Sequence, residues 1–114
     1  MTVQFESDGG LTVRHDGTIA SLRTVTIIEG LDMVSLTQVI AWDRPLNSDL
    51  RKRVAAQAQR TLLGTIALVE RSRKLADVML RYNFPVGGLS DEAVRTLVLM
   101  TLDAGVASRT ALTG

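Results

Sequence analysis

Residues 48–82 read SDLRKRVAAQAQRTLLGTIALVERSRKLADVMLRY, and the fold turns on how this stretch is taken. Asn47 or Ser48 can cap a helix, and Asp49 puts a negative charge where the helix dipole is positive. From there to Tyr82 the one residue that resists a helix is Gly64, at about 1 kcal/mol relative to Ala. Asn83-Phe84-Pro85 ends the segment, because proline cannot continue the hydrogen-bond ladder. The expectation is a long helix over residues 47–83, either continuous or broken near Gly64 into two packed helices. A continuous helix would be roughly 50 Å long at about 1.5 Å per residue. A compact domain of this size is only ~35 Å across. Such a helix overshoots its own domain and needs a partner.

Upstream, residues 1–45 read as an antiparallel β-meander of about four strands. Val3 and Phe5 alternate with polar neighbours, then Ser7-Asp8-Gly9-Gly10 makes a turn. Leu11 and Val13 alternate again before His15-Asp16-Gly17, where Asp-Gly suits a type I′ hairpin turn. A longer strand runs from Thr18 to Ile28, Glu29-Gly30-Leu31-Asp32 turns the chain, and Met33 to Trp42 forms the next strand. Val34, Leu36, Ile40 and Trp42 share one face of it, and Pro45 closes the sheet. Downstream of a Val86-Gly87-Gly88 loop, a shorter helix is expected over residues 90–104, with Ser90 as cap and Leu89 stapled onto Val94. Gly105 then reads as a stop, and residues 107–114 as a frayed tail. The fold class is α+β, in a single domain over residues 1–114.

Composition narrows the chemistry. A length of 114 residues suits one domain, and an apolar fraction of 46% with 22% charged residues argues against disorder. With one Trp, one Tyr and two Phe, the core must be built from Leu, Val, Ile, Ala and Met, and few rings remain to stack on bases or sugars. The absence of cysteine excludes disulfides, thiolate chemistry and cysteine-ligated zinc. The N-terminus lacks a basic stretch followed by an apolar run. The longest apolar stretch, Leu62 to Val69, falls far short of the roughly 20 residues that span a bilayer. These features suggest a soluble, cytoplasmic protein with no membrane partner.

Charge is unevenly distributed. Residues 1–47 hold three basic and six acidic side chains, residues 48–81 hold eight and three, and residues 82–114 hold two and three. On the expected long helix, Arg53, Arg60, Lys74 and Arg81 recur at seven-residue spacing and form one basic stripe. Such a stripe can meet nucleic acid or an acidic protein. A solvated helix face explains it as well, and no aromatic residue interleaves the charges.

No catalytic constellation stands out. The single histidine, His15, lies in a hairpin turn beside Asp16, without the His or Cys company a metal would need. Gly9-Gly10 and Gly87-Gly88 fit neither phosphate-binding pattern. Glu70 and Lys74 have the spacing of an ordinary intrahelical pair, and Trp42 ends a strand on its apolar face. No catalytic, cofactor or metal residue is assigned, and no cofactor is expected.

One family resemblance can be read. The run Arg23-Thr24-Val25-Thr26-Ile27-Ile28-Glu29-Gly30, followed by a strand, Pro45, Asn47 and Arg53-Val54-Ala55-Ala56, resembles a pattern in small proteins of bacteriophage tail modules. There a β-hairpin passes through a proline and a polar turn into a helix. The likeness covers roughly a third of the chain and departs beyond Ala56, where Arg60-Thr61-Leu62-Leu63 stands in place of a Trp-Thr-Pro segment. It implies a virion or assembly component.

Excess apolar helical surface without catalytic machinery points to a non-enzymatic structural or interaction protein, a homo-oligomer or the subunit of an assembly. Leu62, Ile66, Val69, Leu97 and Met100 are the candidate buried seam. Two alternatives stand beside it. One is a small regulator that binds nucleic acid or an acidic partner through Arg53, Arg60, Lys74 and Arg81. The other is a ligand binder or enzyme with a site between subunits, gathering His15, Trp42 and carboxylates.

Overall fold

Alternating apolar residues carry the chain through four strands before any helix forms. The computed structural model describes residues 1–113. Its elements are β1 (Thr2–Phe5), β2 (Leu11–His15), β3 (Thr18–Ile28), β4 (Leu31–Pro45), α1 (Ser48–Arg60), β5 (Thr65–Glu70), β6 (Leu75–Pro85) and α2 (Asp91–Thr113). The six strands form one antiparallel sheet in the order β1-β2-β3-β4-β6-β5. The class is α+β with an N-terminal meander, as the sequence suggests. At the β2–β3 turn, Asp16 (φ 45°) and Gly17 (φ 83°) take the two positive angles of a type I′ turn.

The long helix does not form, in one piece or as two packed helices. Only its first third is helical. The Asn47 side chain caps α1 by accepting the Leu50 N–H at 2.8 Å, and the helix ends where Thr61 turns extended. Gly64 is then required rather than tolerated. Its φ is 79°, and a Cβ there would lie 2.8 Å from the Arg81 carbonyl oxygen. The rest is a hairpin. Ile66 and Leu68 on β5 face Leu80 and Val78 on β6. β6 in turn pairs along β4, so it lies inside the sheet and not on a helix. The connecting turn has no glycine or proline. Instead the Ser72 hydroxyl accepts the N–H groups of Lys74 (3.2 Å) and Leu75 (3.1 Å).

The C-terminal helix is longer than its sequence signals imply. α2 begins at Asp91, with Ser90 capping the Ala93 N–H at 3.1 Å. It runs through Gly105 to Thr113, so residues 107–113 are helix and not a frayed tail. Ser108 and Leu112 in this part are buried.

Both helices cover the same face of the sheet. Leu36, Ile40, Val78, Leu80, Leu102 and Leu112 are the largest fully buried apolar side chains, at most 1% exposed. Gln38 lies among them, its Nε2 donating to Thr18 Oγ1 (2.9 Å) and to the Leu102 carbonyl (3.1 Å). Among the described residues no helix covers the opposite face of the sheet. Phe5, at the end of the edge strand β1, is 82% exposed.

Candidate functional site

The end of α1 sets up the most distinctive surface. Because Gly64 must adopt its left-handed angle, residues 61–64 leave the helix as an irregular bridge to β5 and push Leu62 outward. Leu62 is 94% exposed. A lone exposed leucine is unremarkable, but a contiguous apolar patch is informative. Beside Leu62, between the end of α1 and one side of α2, runs a groove of about 370 Å³. On α2 it is lined by Met100, Ala104, Ala107 and Ala111, a one-sided helical spacing of mostly small side chains. Met100 is 54% exposed at its lip.

The five seam residues therefore separate. Leu62 and Met100, from opposite ends of the presumed helical seam, line one groove. Ile66 belongs to the core at 5% exposure. Val69 is half-buried on the edge strand β5, and Leu97 is half-buried on α2. The groove-forming alanines are not among the residues the sequence singles out. Their helical spacing is visible in the sequence, but the expected stop at Gly105 cut the stripe in two.

The four basic residues do not form a stripe. Arg53 lies on α1, Arg60 at its end, Lys74 in the β5–β6 turn, and Arg81 on β6 between Thr37 and Thr65. Arg53 also has an internal role. Its Nη2 donates to the Ala111 carbonyl at 2.8 Å, supplying a cation near the end of a helix whose last turn has no basic residue.

His15 and Trp42 do come together within one chain, on the rim of a hollow that also includes Asp16 and Arg14. His15 Nε2 lies 2.9 Å from Asp103 Oδ1 on α2 and 3.9 Å from Asp16 Oδ2. This contact ties the β2–β3 hairpin to the helix. Arg109 reaches past the start of β3 and donates to the Ile40 carbonyl at 2.8 Å. Its guanidinium lies 5.5 Å from the Trp42 ring centre. The hydroxyl residues lining this hollow are Thr2 and Thr18. The nearby Thr18 hydroxyl donates to the His15 carbonyl at 2.7 Å. Among the described residues, no cluster of three His, Asp or Glu side chains is placed to hold a metal. No helix of the described residues is long and apolar enough to cross a membrane.

Among the described residues Asp77 on β6 is the one buried acidic side chain, and it is structural. It accepts the Asp43 N–H at 3.0 Å and the Arg71 guanidinium at 2.9 Å. It thereby fixes the β4 bulge, where Asp43 takes a φ of 55°.

Neither a family model nor a curated protein matches the chain. Among solved structures, it is similar to YbjN from E. coli, described as a candidate transcription regulator. The two share 16% identity with a TM-score of 0.60, over 96% of this chain and 79% of YbjN. At that identity the likeness is one of fold.

Proposed function

We propose that the protein is a non-enzymatic interaction module that self-associates through the groove between α1 and α2. The observation that carries this is the position of Leu62, 94% exposed and directly beside a groove of small side chains. A projecting side chain and a recess on the same patch are self-complementary. A two-fold axis then seats each Leu62 in the other copy's groove and makes the contact twice. Fully burying a leucine contributes about 1.5–3 kcal/mol, so a symmetric pair gives the interface a central anchor. The tail-module resemblance, carried by Arg23–Gly30, Pro45, Asn47 and Arg53–Ala56, would fit such a pair acting as a subunit of a larger assembly.

The test is absolute mass in solution by light scattering after size exclusion, at low and high salt. A dimer at both salts, converted to monomer by Leu62→Asp with an unchanged far-UV spectrum, supports the reading. A wild-type monomer at about 100 μM rejects it. YbjN's description as a candidate regulator brings in nucleic acid as a second reading. Nothing in the charge arrangement favours it, since the four cations are spread over α1, the β5–β6 turn and β6, and Arg53 is engaged by Ala111.

A further inference from the structure

A second groove lies away from Leu62, where α2 leaves the first three strands partly uncovered. Its floor is Leu11, Val13 and Leu22 from the sheet, and its wall is Val94, Val98 and Leu102 from α2. Those three positions are spaced i, i+4, i+8, so one helical stripe faces the groove. The cavity is about 430 Å³, within the roughly 300–1,000 Å³ of small-molecule sites. Its lining is mostly apolar, and the charged residues on it, Arg23 and Arg95, are exposed.

Two cationic residues, Arg23 and Arg95, are among those lining the groove. Arg23 is neutralised by Asp8 at 2.6 Å. The Asp8 carboxyl is held below its usual range by the Gly10 N–H and then by Arg23, so it stays ionised there. Arg95, on α2 above the groove, has no carboxylate within ion-pair distance among the described residues. An apolar trough with one uncompensated cation at its mouth is complementary to a molecule with an alkyl tail and a single negative head. We propose that this groove binds a free single-chain amphiphile with an anionic head, its tail along Leu22 and Val98 and its head at Arg95.

The experiment is calorimetric titration of the full chain with monomeric dodecanoate and, separately, with dodecanol. Amide shift mapping locates the bound molecule. Dodecanoate should saturate at one per chain, with shifts at Leu22, Val98 and Arg95, and dodecanol should bind at least tenfold more weakly. Each methylene removed from the acid should weaken binding roughly four-fold. Arg95→Glu, at an exposed position, should abolish the preference for carboxylate over alcohol while dodecanol still binds. Leu99→Trp, at a lining position 39% exposed, should block both. No saturable binding, equal affinity for acid and alcohol, or shifts confined to the Leu62 groove would each overturn the proposal. Binding to phosphatidylglycerol vesicles without binding to monomeric dodecanoate would overturn it too. Leu62→Asp should leave the titration unchanged, so this test and that of self-association fail independently.

Discussion

The Gln38 carboxamide fills the space that a Cβ at Gly105 would need. This one contact brings α2 down onto β4 and lets Gln38 reach both Thr18 and the Leu102 carbonyl. It also explains why the helix runs through a glycine that, by composition, should have ended it.

Gly105→Ala is thus a test in which two effects oppose. Alanine favours a helix by about 1 kcal/mol over glycine. Overpacking at a closed helix–sheet contact costs about 1–3 kcal/mol, and displacing Gln38 adds the loss of its buried hydrogen bonds. Packing should win. Urea denaturation is expected to show a net loss of about 2 kcal/mol. The double variant Gly105→Ala with Gln38→Ala should be more stable than the sum of the single losses, because the second change removes the clash. A Gly105→Ala protein as stable as wild type would mean that helix and sheet can separate freely here.

Arg109 offers a test of geometry rather than charge. Beyond Ile19, β3 no longer accompanies β4, and the Arg109 guanidinium serves the Ile40 carbonyl in its place. The Trp42 ring beside it is the second partner. Arg109→Met should cost about 1.5–3 kcal/mol, the range for a hydrogen bond from a charged group. Lysine should recover little of it, since an ammonium cannot reproduce the planar fork and its stacking. Trp42 emission should change in both variants. Full recovery by lysine would show that only the charge matters.

The meander was legible because its strands alternate and its turns carry Gly, Asp or both. The hairpin over 65–85 was hidden for a physical reason. Its turn, Arg71-Ser72-Arg73-Lys74, is closed by the Ser72 hydroxyl and contains neither glycine nor proline. Leu75, Ala76, Met79 and Leu80 are good helix formers, and burial in β6 is continuous across Ala76-Asp77-Val78, which erases the period of two. The signals that remained were Gly64 and the β-branched and aromatic residues Thr65, Ile66, Val69, Tyr82 and Phe84. The excess length of the supposed helix was itself a warning, answered by a strand inserted in the same sheet and not by a partner. Two of the five seam residues end up on one surface groove. Leu62 and Met100 remain on the surface, whereas Ile66 was claimed by the core.

Acid should act on the β1–β2 turn. The Gly10 N–H donates to Asp8 Oδ1 at 3.0 Å, and Arg23 pairs with its other oxygen. Both favour the ionised form, so the folded-state pKa lies below that of the unfolded chain. The stabilisation is complete above the unfolded value, near 3.9, and is lost as pH falls through the lower folded value. Asp8→Asn should therefore be less stable than wild type at neutral pH, with the gap closing in acid. Thermal unfolding at pH 7 and below pH ~3 would read this. A gap independent of pH would show that the carboxylate's charge contributes nothing.

The sharpest contrast is between Leu62→Asp and Ile66→Asp. On one long helix the two positions, four residues apart, would face the same partner, and both changes would dissociate an oligomer. The bridge and hairpin give them opposite environments. Leu62 is open to solvent in the free chain and Ile66 is 5% exposed beneath α1. A carboxylate at position 62 meets water, so the isolated fold should keep its stability to within about 0.5 kcal/mol. Only the association should fail. At position 66 the same carboxylate would be forced among apolar side chains without a partner, at a cost of several kcal/mol. That approaches the whole stability of a small domain, so the chain should unfold rather than merely dissociate. Far-UV circular dichroism and light scattering on the two variants separate the cases. If Ile66→Asp stayed folded and monomeric, β5 would not be packed in the core. If Leu62→Asp unfolded, Leu62 would be part of the fold and not a free docking side chain.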